Sequence, residues 1–116
     1  MNDPEIESDR YFVKADPALG RPLFPGVSFR PIAGDAIMLS MVTFEPNAEV
    51  PEHAHPHEQM GMIISGRLEF IIGGETRILE TGDSWRIPGS VPHQARALDG
   101  PAVALDVFHP VREDYR

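Results

Sequence analysis

From residue 27 onward, short apolar runs alternate with turn-forming residues. Runs rich in Val, Ile, Leu, Met and Phe predict strands at about 27–32, 36–44, 59–65, 67–72, 75–80, 84–87, 92–98 and 102–108. The stretch IIGGETRI predicts a two-residue hairpin at Gly73-Gly74, and IISGRLEF a second hairpin at Ser65-Gly66. No segment holds a helical period, and there is no internal repeat. Many short strands joined by tight turns predict an all-β domain, a sandwich or a small barrel. A barrel whose mouth holds a ligand is one standard outcome. The segment DPALGRPLFPG, residues 16–26, carries three Pro and two Gly and reads as irregular. Residues 1–26 are therefore expected to be an N-terminal arm and irregular lead-in, followed by a single domain over 27–116.

Composition narrows the chemistry. A chain of 116 residues suits one domain. Cysteine is absent, which excludes disulfides, thiolate sites and a cysteine nucleophile. A metal would need nitrogen and oxygen ligands, which suit Zn, Mn, Fe, Ni or Cu. The net charge of −8 disfavours nucleic acid and anionic membrane surfaces. The acidic start MNDPEIESDR has no apolar signal region, and no stretch has the length of a membrane span, so a cytoplasmic protein is expected. A small anionic substrate would need local positive charge from a metal or an arginine. Nine of the ten basic residues are Arg, which compositional bias explains for most, although Arg is also the better bidentate partner for a carboxylate.

The five histidines are unevenly placed. Three fall within HAHPHEQ, residues 53–59, and the others are His93 and His109. The run is either a metal site or a polar loop that happens to be rich in His. His53, His55, His57 and Gln59 share odd parity, and alternate residues of a strand share a face. Pro56 interrupts the pattern, so His53 and His55 should close one strand and Gln59 open the next. Two imidazoles then aim at one point, and His93, after the turn IPGSVP, is a candidate further ligand. His57 is expected to support the site or face solvent, and Glu58 to point outward. The final strand has two dissimilar faces. One carries Val103, Leu105 and Val107, an ordinary packing face. The other carries Ala102, Ala104, Asp106 and Phe108, and a carboxylate on an inward face needs a reason; the alternative is an exposed edge.

These residues resemble the motifs of the cupin family. The first motif, G-x5-HxH-x3,4-E-x6-G, is matched by Asn47, His53, His55, Gln59 and Gly66. The second, G-x5-PxG-x2-H-x3-N, is matched by Gly82, Pro88, Ser90, His93 and Ala97. Asn47 and Ser90 stand where the family has Gly, Ala97 where it has Asn, and Gln59 where it has a Glu ligand. The resemblance implies a double-stranded β-helix (jelly-roll) barrel and a divalent transition metal (Zn, Ni, Mn or Fe) on His53, His55, Gln59 and His93. With Gln in place of Glu the ligand set is neutral, so the ion keeps its full charge and is a stronger Lewis acid.

The tail LDVFHPVREDY, together with HAHPHEQ, is similar to the small cupins of uronate catabolism, the pectin-degradation (KdgF-type) group. That resemblance implies conversion of 4,5-unsaturated monouronates to linear, ketonised sugars. It places Asp106, Phe108 and Arg112 in the pocket, with Asp106 as general acid–base, Arg112 on the substrate carboxylate and Phe108 packed on the sugar. Other metal-dependent cupin chemistry (a dioxygenase or lyase) and non-catalytic sugar binding or sensing are the alternatives, since fold alone does not fix function. Small cupins usually pair, so a homodimer using the Val103, Leu105 and Val107 face and the N-terminal arm is expected.

Overall fold

The computed structural model describes residues 11–116; the first ten residues of the arm and lead-in expected at 1–26 lie outside them. Ten strands follow a short 3-10 turn at Pro17–Leu19: β1 (Arg21–Phe24), β2 (Val27–Ala33), β3 (Met38–Phe44), β4 (Glu49–His53), β5 (Glu58–Ser65), β6 (Arg67–Ile72), β7 (Glu75–Glu80), β8 (Ser84–Ile87), β9 (His93–Ala97) and β10 (Ala102–His109). They form a six-stranded sheet in the order β1-β2-β3-β10-β5-β8 and a four-stranded sheet in the order β4-β9-β6-β7. Every pairing is antiparallel. The two sheets face each other across one apolar core built from alternate residues of each strand. On β3 the inward residues are Met38, Ser40, Val42 and Phe44; on β10 they are Ala102, Ala104, Asp106 and Phe108. Phe70 and Trp85 pack ring against ring between the sheets, with centroids 4.7 Å apart.

The Gly73-Gly74 turn joins β6 and β7 as expected, with φ of +56° and +83°, the left-handed values that a tight hairpin requires. Three expectations differ. The lead-in at 16–26 is not wholly irregular: β1 lies inside it and pairs with β2. The strand that His53 and His55 were expected to close, β4, ends at His53, so His55 lies beyond it. Ser65-Gly66 is not a hairpin. β5 pairs with β10 and β8, whereas β6 pairs with β7 and β9, so the chain crosses there from one sheet to the other. Gly66 has φ +80°, and a Cβ on it would sit 2.3 Å from the Pro101 carbonyl oxygen. The turn chemistry is that of a hairpin, but turn chemistry does not choose the partner strand.

Asn47 and Ser90 adopt φ of +64° and +67°. Asn is tolerated in that region, and these are two of the positions at which the chain departs from the motif glycines.

A candidate metal centre and its cavity

Three histidines meet at one end of the barrel. His53 ends β4 and lies opposite His93, which begins β9. His55 follows in the segment that carries the chain across to β5. One nitrogen from each of the three lies within 4.8 Å of the other two. All three rings are held in the same way. Nδ1 of His53 donates to the Pro51 carbonyl at 2.9 Å, Nδ1 of His93 to Val91 at 2.8 Å, and Nδ1 of His55 to His57 at 3.1 Å. With the proton fixed on Nδ1, each ring presents a bare Nε2 lone pair, the usual arrangement of a metal-ligating histidine. Nε2 of His93 is buried and has no partner. Burial lowers the His93 pKa to about 4, helped by the charges of His53, His55 and Arg112. Burial, and then the Arg112 charge, also lower that of His55. The His55 and His93 rings are therefore neutral near pH 7, as ligation requires.

Gln59, on β5, lies beside the cluster. Its Oε1 lies 2.9 Å from Nε2 of His55, and its Nε2 donates to Oδ1 of Asp106 at 2.9 Å. His55 thus has an oxygen facing each ring nitrogen, while its lowered pKa disfavours the doubly protonated form that could donate to both. A cation between Nε2 and Oε1 resolves that conflict, so the donor set fits a divalent ion. His57 contributes through its carbonyl, and Glu58 is exposed, as expected.

Asp106 is not at an exposed edge. β10 is flanked by β3 and β5, and Asp106 points into the barrel beside Gln59. Burial raises its pKa to about 7, against the opposing pull of the Gln59 hydrogen bond and the Arg112 charge. Phe108 is buried, its ring centroid 5.7 Å from that of His55. Arg112 is buried as well. Its Nε and Nη2 are held by Asp114 at 3.3 and 2.8 Å, its guanidinium lies 3.9 Å from the centre of the Tyr115 ring, and its Nη1 is buried without a partner. The sequence-predicted residues His53, Gln59, His93, Asp106, Phe108 and Arg112 all line one cavity, and His55 adjoins it through Gln59. The cavity is narrow, about 40 Å³, room for a few water molecules.

Among the lining residues that sequence reasoning missed are Ser40, Trp85 and Tyr115. Ser40 is the one polar residue on the inward face of β3, and Trp85 is the chain's single tryptophan. Those are the signals that would have marked them. Tyr115 sits on a 3-10 turn at Glu113–Tyr115, and its carbonyl accepts from Arg21 at 2.7 Å, which ties the C-terminus to β1.

The cupin-domain family model matches residues 40–108, more than half of the chain. The chain is a cupin. Among known proteins, this cupin is 32% identical over 108 residues to the pectin degradation protein KdgF of Dickeya dadantii, covering 91% of this chain and 97% of that one. The solved structure of KdgF from a Halomonas species matches with a TM-score of 0.79 at 30% identity, over 84% of this cupin and 90% of that chain. The similarity extends more weakly to a dimethylsulfoniopropionate lyase, DddQ, of Ruegeria pomeroyi. It is 34% identical over 76 residues, but these make up only 38% of that enzyme.

Proposed function

We propose that this cupin is a metal-dependent enzyme of sugar-acid catabolism that converts 4,5-unsaturated monouronates to their linear keto form. The observation that carries the reading is Asp106, a carboxyl held inside the barrel, 2.9 Å from the amide of a residue that also reaches the histidine cluster. Its pKa of about 7 gives it the protonation balance of a general acid–base at neutral pH. Likeness to KdgF over nearly the whole chain supports the substrate class.

The reaction is an isomerisation and needs no co-reactant. The anomeric hydroxyl loses a proton, and the bond between C1 and the ring oxygen opens to an aldehyde. The ring oxygen becomes the enol oxygen on C5. A proton added at C4 then turns the enol into a ketone. His53, His55, Gln59 and His93 would hold the metal, which when bound supplies a Lewis acid for carboxylate and enolate oxygens. Asp106 delivers the proton to C4. Arg112, with two of its nitrogens fixed by Asp114, offers Nη1 to the substrate carboxylate. Phe108 forms an apolar wall against the sugar. Arg112 and Tyr115, which lie outside the strands, line the same cavity.

The test mixes metal-loaded protein with a 4,5-unsaturated monouronate and follows ultraviolet absorbance of the conjugated double bond, with an EDTA-stripped control. Rapid, metal-dependent loss is expected. Decay at the spontaneous rate with metal bound would sink the proposal and favour sugar binding without turnover. The likeness to DddQ supports a second reading, metal-dependent lyase chemistry on another small carboxylate.

The proposal includes a homodimer of single-domain chains. The outer face of β3, β10 and β5 exposes Leu39, Met60, Met62 and Ile64 around the half-buried Val103, Leu105 and Val107. An apolar patch of this kind suits a second copy. Light scattering of wild type and Met62→Glu checks it, with a dimer expected for the first and a monomer for the second.

A further inference from the structure

Across the six-stranded sheet, one transverse row reads Ser40, Asp106, Gly61, Trp85: each residue is directly opposite the next on β3, β10, β5 and β8. The rows on either side are Met38, Phe108, Gln59, Ile87 and, on β3, β10 and β5, Val42, Ala104, Ile63. Gly61 lacks a side chain for a reason. A Cβ there would lie 2.2 Å from Cζ2 of Trp85, so the indole occupies the space that a residue at 61 would fill.

Ser40 is 1% exposed and Trp85 is 6% exposed. Both line the cavity, and neither Oγ of Ser40 nor Nε1 of Trp85 has a hydrogen-bond partner. Buried polar atoms are nearly always paired, and two orphans in one row, beside a third on Arg112, call for an explanation. An indole N–H and a guanidinium N–H only donate, and a hydroxyl can donate. With the histidine Nε2 lone pairs turned to the candidate metal centre, the unpaired groups left in the cavity are donors. An apolar ligand would leave them unpaired, and a cationic one would be repelled by Arg112. An oxygen-rich anion supplies what is lacking.

We infer that Ser40 and Trp85 are binding residues, donating hydrogen bonds to oxygen atoms of a sugar-acid ligand on the side of the cavity that Asp106 occupies. The inference rests on the reading of this cavity as the substrate site and adds to it two positioning residues.

The experiment titrates metal-loaded protein with galacturonate, a saturated sugar acid that has no double bond to react, and with galactose as the neutral control. Trp85, the single tryptophan, reports binding by its own fluorescence, and calorimetry gives the affinity of variants. Galacturonate is expected to shift the emission and to bind more tightly than galactose. Ser40→Ala and Trp85→Phe are each expected to weaken galacturonate about tenfold, and in turnover to raise KM by more than they lower kcat. Wild-type affinity in a folded Ser40→Ala protein, whose change is the loss of one hydroxyl, overturns the inference even if Trp85→Phe does not fold. Absence of galacturonate binding by wild type also overturns it. If the variants weaken binding while no unsaturated uronate is turned over, the binding row stands and the proposed reaction fails.

Discussion

The two walls of the cavity are built on different principles. The histidine wall is assembled from short-range contacts: each imidazole is oriented by a carbonyl two residues away, and two of the rings sit opposite each other at the ends of β4 and β9. The wall of the six-stranded sheet is assembled from strand register, with Ser40, Asp106 and Trp85 brought together across four strands. Gln59 joins the two, its oxygen toward His55 and its nitrogen toward Asp106. Burial drives both walls toward neutrality, lowering His93 to about 4 and raising Asp106 to about 7. Arg112 and any bound cation then outweigh the partly ionised Asp106, which favours an anionic ligand despite a net charge of −8 on the chain.

Breaking the histidine wall should have the largest effect. His93→Ala removes the buried, unpartnered Nε2 and is expected to abolish stoichiometric metal binding and turnover together. Elemental analysis beside the absorbance assay checks this; an active variant without metal would refute the assignment. Breaking the opposite wall should separate the two properties. Asp106→Asn is expected to keep the metal and lower kcat by roughly 10²–10⁴, the span of general acid–base catalysis. Full activity with metal retained would remove Asp106 from the mechanism.

Gln59→Glu sharpens the comparison because it alters both walls at once. It adds a negative charge to the ligand set and sets a carboxylate against Asp106 in place of an amide donor. Metal should bind more tightly, while kcat falls about tenfold and the acid–base pKa moves further up, since like charge raises a carboxyl pKa. An unchanged pH profile would show that the Gln59 contact does not tune Asp106. Gly61→Ala tests packing alone. Its Cβ would meet Trp85 at 2.2 Å and the Leu105 carbonyl at 2.6 Å, and overpacking of this kind costs about 1–3 kcal/mol. Chemical denaturation measures it, and an unchanged midpoint would mean that Trp85 can move aside.

The difference between the walls also explains what was legible in the sequence. His53, His55 and Gln59 lie within seven residues, and His93 follows a recognisable turn, so their proximity was legible, although His55 lies beyond the end of β4 and strand parity does not place it. Asp106 and Phe108 stood out as a charge and a ring on a small-residue face, and Arg112 through its place after Pro110, from which it could reach back over the mouth, and through resemblance to a family. Ser40 and Trp85 were invisible as a pair, because the register that aligns them depends on β10 lying between β3 and β5. The same limit accounts for Ser65-Gly66, where a correct turn was given the wrong partner strand. β1 was missed because its pairing, not its Pro-containing sequence RPLF, makes it a strand.

The pH dependence of stability tests both walls in the metal-free protein. Asp106 takes up its proton near 3.8 in the unfolded chain and at about 7 when folded. Between those values the folded state binds the extra proton, so this contribution to stability falls as pH rises. His93 is opposite in sign: it titrates near 6.5 unfolded and at about 4 folded, so the unfolded state binds the extra proton and stability rises with pH across that window. His55, also lowered, adds to the rise. The windows overlap almost completely, and the two walls offset each other. Asp106→Asn removes the falling contribution alone. In EDTA, the stability of the variant should therefore climb more steeply between pH 4.5 and 6.5 than that of wild type, and the comparison cancels the other titrating groups. Denaturation curves at the two pH values suffice. Equal slopes would mean that folding does not raise the Asp106 pKa, and the acid–base role proposed for it would lose its physical basis.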